Sequence, residues 1–194
     1  MHQIYCAGPL FNEAEKGEMS AIARVLKKAG YSTFLPHRDG LELARLLPEL
    51  KELGLDATDA DDTMQRAIFS LDVYKLLSWS DGVIANLNGR VPDEGTVVEA
   101  SLAWLSGKAL VLYKADARTL LNGADNPMLV GLGDFRVVDN LQELPIALAD
   151  ELNKPRQNRV SAVLQMGEQI SNAREGTQTR SEVAQMLMRR FTRV

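Results

Sequence analysis

Gly82-Val83-Ile84-Ala85-Asn86-Leu87, followed after a short loop by Pro92-Asp93-Glu94-Gly95-Thr96-Val97-Val98-Glu99, reads as a buried strand running into the start of a helix. The first run is almost wholly apolar, as a strand covered on both sheet faces is written. In the second, Asp93 stands where an N-cap would accept hydrogen bonds from the first free backbone N–H groups. Glu99 then lies among small and apolar residues, with Gly95 and Thr96 one turn back and Leu102 and Ala103 one turn on. A carboxylate on such a face is unfavourable unless it is paired or used. The carboxyl ends of strands are also where open α/β sheets bind ligands.

Working outward, four more runs rich in β-branched and apolar residues fit strands: Gln3 to Ala7, Ser32 to Leu35, Ala109 to Tyr113 and Phe135 to Val138. Segments of helical period separate the runs, so the expected class is α/β, with five parallel strands covered by helices on both faces. The first helix is expected from near Asn12 to Lys28, stopping at Gly30. A second, Leu41 to Leu53, carries Pro48 and should be short or kinked. The acidic run Asp56 to Asp62 reads as a loop, with Asp61 or Asp62 capping a helix that continues to about Ser78. Asp116 to Asp134 is a long irregular stretch, a length often associated with function. Asn153-Lys154-Pro155-Arg156 reads as a break. Beyond it, Val160, Val163, Leu164 and Ile170 mark one amphipathic helix, and Val183, Met186, Leu187 and Phe191 another, with Gly176 to Thr179 as the turn. The expected division is a domain over 1–153 and a helical hairpin extension over 154–194.

Composition narrows the function classes. A chain of 194 residues, 45% of them hydrophobic, can bury one sizeable core. Its net charge of -4 argues against a nucleic-acid partner, which needs a basic face. The single Cys6 rules out an intramolecular disulfide, and no apolar run approaches a membrane span. The start of the chain lacks the charged and apolar regions of a signal peptide, so the expectation is a soluble, cytoplasmic protein without a membrane partner. His2 and His37 are too few and isolated for a metal site, and no nucleophile elbow is present.

Other candidates each have two readings. Gly8-Pro9-Leu10-Phe11 lacks the glycines of a dinucleotide loop and the Gly-Lys-Ser/Thr of a P-loop. It is either a tight turn or a place where backbone approaches a ligand. Asp72, between Leu71 and Val73, reads alone as a surface residue of an amphipathic helix, and Asp81 as a turn residue. Lys108, Lys114 and Arg118 read as solvated charges, and Met186 and Met188 as core or interface filler.

Taken together, these segments resemble the nucleoside 2-deoxyribosyltransferase family. The resemblance rests on Ile4-Tyr5-Cys6-Ala7-Gly8-Pro9-Leu10-Phe11, Asp72, Ser80-Asp81-Gly82-Val83-Ile84-Ala85, and Asp93-Glu94-Gly95-Thr96 followed by Glu99. Gly107-Lys108, Tyr113, Asp116, Arg118 and Asn126-Pro127-Met128 continue it, over roughly residues 3 to 150. Where the family usually has a glycine after the glutamate, this chain has Ala100-Ser101.

The resemblance implies a flavodoxin-like three-layer sandwich and a pentosyltransferase of nucleotide salvage that uses neither a metal nor an organic cofactor. It implies 2'-deoxynucleosides and free nucleobases as substrates. Carried over, Glu99 resembles the nucleophile, Tyr5 the hydroxyl that orients it, and Asp72 and Asp93 the acids that handle the base and the sugar hydroxyls. Gly8, Pro9 and Phe11 resemble the first substrate loop, and Pro36 to Leu55 would border the base. Asn126 and Met128 resemble residues that a neighbouring subunit supplies over the sugar 5′ end. A homo-oligomer follows, the family commonly forming hexamers built from dimers. Two alternatives stand beside transfer of 2-deoxyribose: a nucleoside or deoxynucleotide N-glycosidase with water as acceptor, and a non-catalytic nucleoside-binding module.

Overall fold

The computed structural model describes residues 1–41, 43–89, 91–116, 125–154, 159–175 and 179–191. Arg118, Pro155 and Arg156 of the expected break, and most of the turn expected at Gly176 to Thr179 lie outside them.

Five strands form one sheet: β1 (Gln3–Ala7), β2 (Ser32–Phe34), β3 (Gly82–Asn86), β4 (Ala109–Tyr113) and β5 (Val137–Val138). Every neighbouring pair is parallel, and the order is β2-β1-β3-β4-β5. This is the flavodoxin-like order, whose switch point lies between β1 and β3. The alternation of side chains along β1 divides the core in two. Ile4 and Cys6 pack with Met19, Ile22, Leu26, Leu144 and Leu148 on one face. Tyr5 and Ala7 pack with Leu76, Ala100, Ala103 and Leu129 on the other.

Helix α1 (Glu13–Lys28) begins at an Asn12 cap that accepts from the Glu15 N–H at 3.0 Å, while the Glu15 carboxylate accepts from the Phe11 N–H at 2.8 Å. It ends just before Gly30, whose φ of +89° suits glycine. After the short α2 (Pro36–Asp39), α3 (Leu43–Glu52) runs through Pro48 for ten residues. Helix α4 (Ala57–Tyr74) starts one turn before the expected cap. Asp56 accepts from the Asp59 N–H at 2.9 Å, and Ala60 is fully buried. The acidic run is thus the first turn of the helix, where carboxylates favour the positive end of the dipole. A π-turn, Lys75–Trp79, carries the chain to β3, and α5 (Glu94–Leu105) follows that strand.

Beyond β4 come α6 (Pro127–Val130) and β5, which is shorter than expected. Phe135 has a φ of 58°, outside the extended region that a strand needs. Helix α7 (Leu144–Asn153) completes the first of two compact units, 1–156. The second unit, 157–194, holds α8 (Arg159–Glu175) and α9 (Arg180–Phe191). No helix among the described residues is long and apolar enough to cross a membrane.

Two lysines depart from the expectation of solvated charge. Lys114 is buried in an ion pair with Asp125, and the Lys108 ammonium donates to the Ser80 carbonyl at 2.5 Å. A buried ammonium is sustained only by such a partner, which lies in a distant part of the sequence pattern.

Candidate active site

Tyr5 sits mid-strand on the buried β1, registered against Val83 of β3, and its side chain faces α5. Its hydroxyl donates to Glu99 Oε1 at 2.5 Å. Tyr5 can reach Glu99 because a central strand and the helix after β3 pack face to face. The Tyr5 ring stacks on Phe34 with centroids 5.5 Å apart, and Phe34 meets the edge of Trp79 at 6.2 Å. The Lys75 ammonium lies 5.2 Å from the Phe34 centroid and 4.7 Å from that of Trp79. The ring that carries the hydroxyl is therefore held by an aromatic and cationic cluster built from β2 and the π-turn.

Glu99 lies near the buried Thr96, Ala100 and Ala103 of its own helix. Its pKa is raised to about 7, chiefly by burial. The Tyr5 hydrogen bond pulls it back, and the negative charges of Asp72 and Asp93 push it further up. Asp72, in the last turns of α4, is raised to about 6 by burial. Tyr5 is pushed upward by burial, then by the charges of Glu99 and Asp72, so its phenol stays a donor. Asp72 is thus half-buried rather than fully solvated, and its charge is felt by both members of the Tyr5–Glu99 pair. The cluster holds protons near neutral pH, as acid–base chemistry requires.

Asp93 caps α5. Its Oδ2 accepts from the Thr96 N–H at 2.7 Å and the Thr96 hydroxyl at 2.8 Å. Gly8 follows β1 where a Cβ would fall 2.2 Å from Met19 Sδ, so only glycine fits without movement. Pro9 lines a cleft of about 400 Å³ on the α1 side, together with Asn12, Glu18, Asn88 and Asp116. Phe11 is 78% exposed. Asn126 caps α6, its Oδ1 accepting from the Met128 N–H at 2.9 Å, and Met128 is 82% exposed. The structure thus brings Tyr5, Glu99, Asp72 and Asp93 into one electrostatic group and leaves Asn126 and Met128 on a separate element.

Sequence reasoning passed over Phe34, Trp79 and Lys75, whose spacing carries no motif. It also missed a polar brace at the strand ends. The Asn86 and Asn88 side-chain amides donate to the two Glu18 oxygens at 3.0 and 2.9 Å, and Asn88 Oδ1 accepts from the Ala115 and Asp116 N–H groups. A buried asparagine closing an otherwise apolar strand was the available signal. Among the described residues no three His, Cys, Asp or Glu side chains are grouped to hold a metal ion.

No curated protein sequence matches the chain. A conserved protein from Enterococcus faecalis V583 shares the fold at a TM-score of 0.60 and 21% identity, over 77% of this chain and 98% of that one. A 2-deoxyribosyltransferase from the psychrotolerant bacterium Bacillus psychrosaccharolyticus shares it at 0.54 and 22% identity, over 74% and 90%. The sequence profile described as nucleoside 2-deoxyribosyltransferase matches residues 4–181. The chain belongs to the nucleoside 2-deoxyribosyltransferase family, and its chemistry is that of the nucleoside N-glycosidic bond.

Proposed function

We propose that the protein transfers 2-deoxyribose from one nucleobase to another by a retaining double displacement through Glu99. The observation that carries this reading is the 2.5 Å hydrogen bond from the Tyr5 hydroxyl to a half-buried glutamate with two further acids around it. As the base departs, positive charge grows on C1′ and the ring oxygen, and an ionised carboxylate beside C1′ stabilises it. A Glu99 oxygen then forms the C1′–O bond while the C1′–N bond breaks and its electron pair leaves with the base. Asp72, protonated at the start, gives its proton to that base nitrogen. In the second half the incoming base nitrogen attacks C1′, the ester bond to Glu99 breaks, and Asp72 takes the proton back. Two inversions retain the configuration, as in retaining glycosidases.

Tyr5 fixes which Glu99 oxygen is free to attack. Asp93 holds the sugar hydroxyls while capping the helix that carries Glu99. Gly8, Pro9 and Phe11 border the substrate, and Asn126 and Met128 of a neighbouring copy close the pocket against water in a homo-oligomer. The test is incubation of 2′-deoxyinosine with adenine, with appearance of 2′-deoxyadenosine as the expected result. Release of hypoxanthine and free sugar alone would replace transfer by hydrolysis. Unchanged donor would leave nucleoside binding without catalysis.

A further inference from the structure

Lys114 is the one charged residue that the fold buries among those described. It follows β4 directly, and its backbone N–H donates to the Val138 carbonyl at 2.8 Å, so its main chain is fixed by the end of β5. Its ammonium pairs with Asp125, with only 3% and 9% of the two side chains exposed. Asp125 immediately precedes Asn126-Pro127-Met128.

Helix α6 spans four residues, too few to hold a helical shape by itself in water. Its placement therefore comes from its ties. Leu129 is buried in the core cluster on the α5 side, and Asn126 closes the first turn onto the Met128 N–H. The ion pair is the tie that precedes both. Met128 projects into solvent from a segment pinned at both ends. A buried ion pair contributes little net stability, yet its geometry is demanding, and fixing registry is its best-attested use.

We propose that the Lys114–Asp125 pair is a positioning device that holds Asn126 and Met128 in place for the Glu99 site of a neighbouring copy. The inference rests on the reading of Asn126 and Met128 as residues supplied across a subunit boundary. Lys114 and Asp125 themselves touch no substrate. They act on the neighbour's site through the two residues that follow.

A mixed oligomer separates this role from a purely structural one. Differently tagged Glu99→Ala and Asp125→Asn chains are co-expressed, and the doubly tagged species is purified. Activity is read as consumption of the donor nucleoside, so the result holds whether base or water is the acceptor. Asp125→Asn alone is expected to keep the wild-type oligomer size and lose roughly tenfold or more in kcat/KM, as a misplaced closing group would. Glu99→Ala alone is inactive. In the mixed species the intact Asn126 of the Glu99→Ala chain serves the Glu99 of the other chain. Activity then rises well above both parents, towards about half of wild type for a two-fold pair. A general loss of stability, or an effect confined to the chain's own site, would give no rescue and overturn the proposal. So would wild-type kinetics in Asp125→Asn.

Lys114→Met, which removes the charge from the other side, is run in parallel, so misfolding of either variant leaves the other to decide. Asn126→Ala mixed with Glu99→Ala is the control. If that pair complements and the Asp125→Asn pair does not, the shared site stands and only the positioning role falls. If it too fails, the shared site falls and the proposal with it.

Discussion

At the scale of single residues, two acids with pKa values displaced to about 7 and about 6 set the expected pH response. Glu99 must be ionised to attack and Asp72 protonated to donate. Below the lower value both carry protons, and above the higher one both are ionised. Between them the pair holds one proton, and the reactive arrangement with that proton on Asp72 is the minor form. The kcat/KM profile of the proposed reaction is therefore expected to be a bell centred at about 6.5, its limbs belonging to the pair. Asp72→Asn removes a negative charge that raises Glu99. Its profile should lose the alkaline fall, and the remaining rise should follow Glu99 alone, at a value below about 7. An alkaline limb that persisted in this variant would assign the proton donor to another group. The small, apolar helical row of Glu99 marks it in the sequence as a carboxylate in need of a use. Asp72 carries no such mark and is singled out only by the family resemblance. It stands between two apolar residues on a helix whose half-buried side is decided by the sheet, which no local pattern shows.

At the scale of elements, α5 joins stability and site through one residue. Asp93 gives a single oxygen to both the backbone and the hydroxyl of Thr96. Asp93→Ala is expected to cost about 1 kcal/mol of stability as well as activity, since it removes a helix cap. Asn caps as well as Asp, so Asp93→Asn should keep the melting temperature and lower kcat/KM. Equal activity in Asp93→Asn and wild type would confine the residue to capping. The strands were readable because each is a compact apolar run, and their ends were misjudged by a residue or two where backbone geometry decides. Phe135 reads as a strand residue by its side chain, yet its left-handed φ keeps it out of the pairing. The start of α4 was displaced for a different reason: a run of aspartates satisfies a helix's first turn as readily as it caps one. Lys114 reads locally as a solvated charge because its partner, Asp125, lies eleven residues on and only the fold brings the two together.

At the scale of the whole molecule, both core clusters draw only on residues before the second unit. A chain ending at residue 156 is expected to fold, with circular dichroism and a cooperative melt like those of the full protein. A non-cooperative melt would show that 157–194 is needed for the core. The parallel sheet was legible throughout because strand and helix patterns alternate along the chain. An oligomeric state has no such signature, because an exposed methionine such as Met128 carries no local mark of whether anything covers it.

The position of Tyr5 in the middle of β1 has an evolutionary side. Its ring is part of the packing between sheet and helix, and its hydroxyl grips the carboxylate proposed to react. Few substitutions there could leave the molecule folded, so selection for a sound core also preserves the reactive pair. The rim is under no such double constraint. Segments such as Pro36–Asp39 and the exposed Phe11 lie past the strand ends and can exchange residues without disturbing the layers. In the proposed transferase, the choice of base can drift while the bond-making centre stays fixed. New specificities would then arise in this fold more readily than new chemistries.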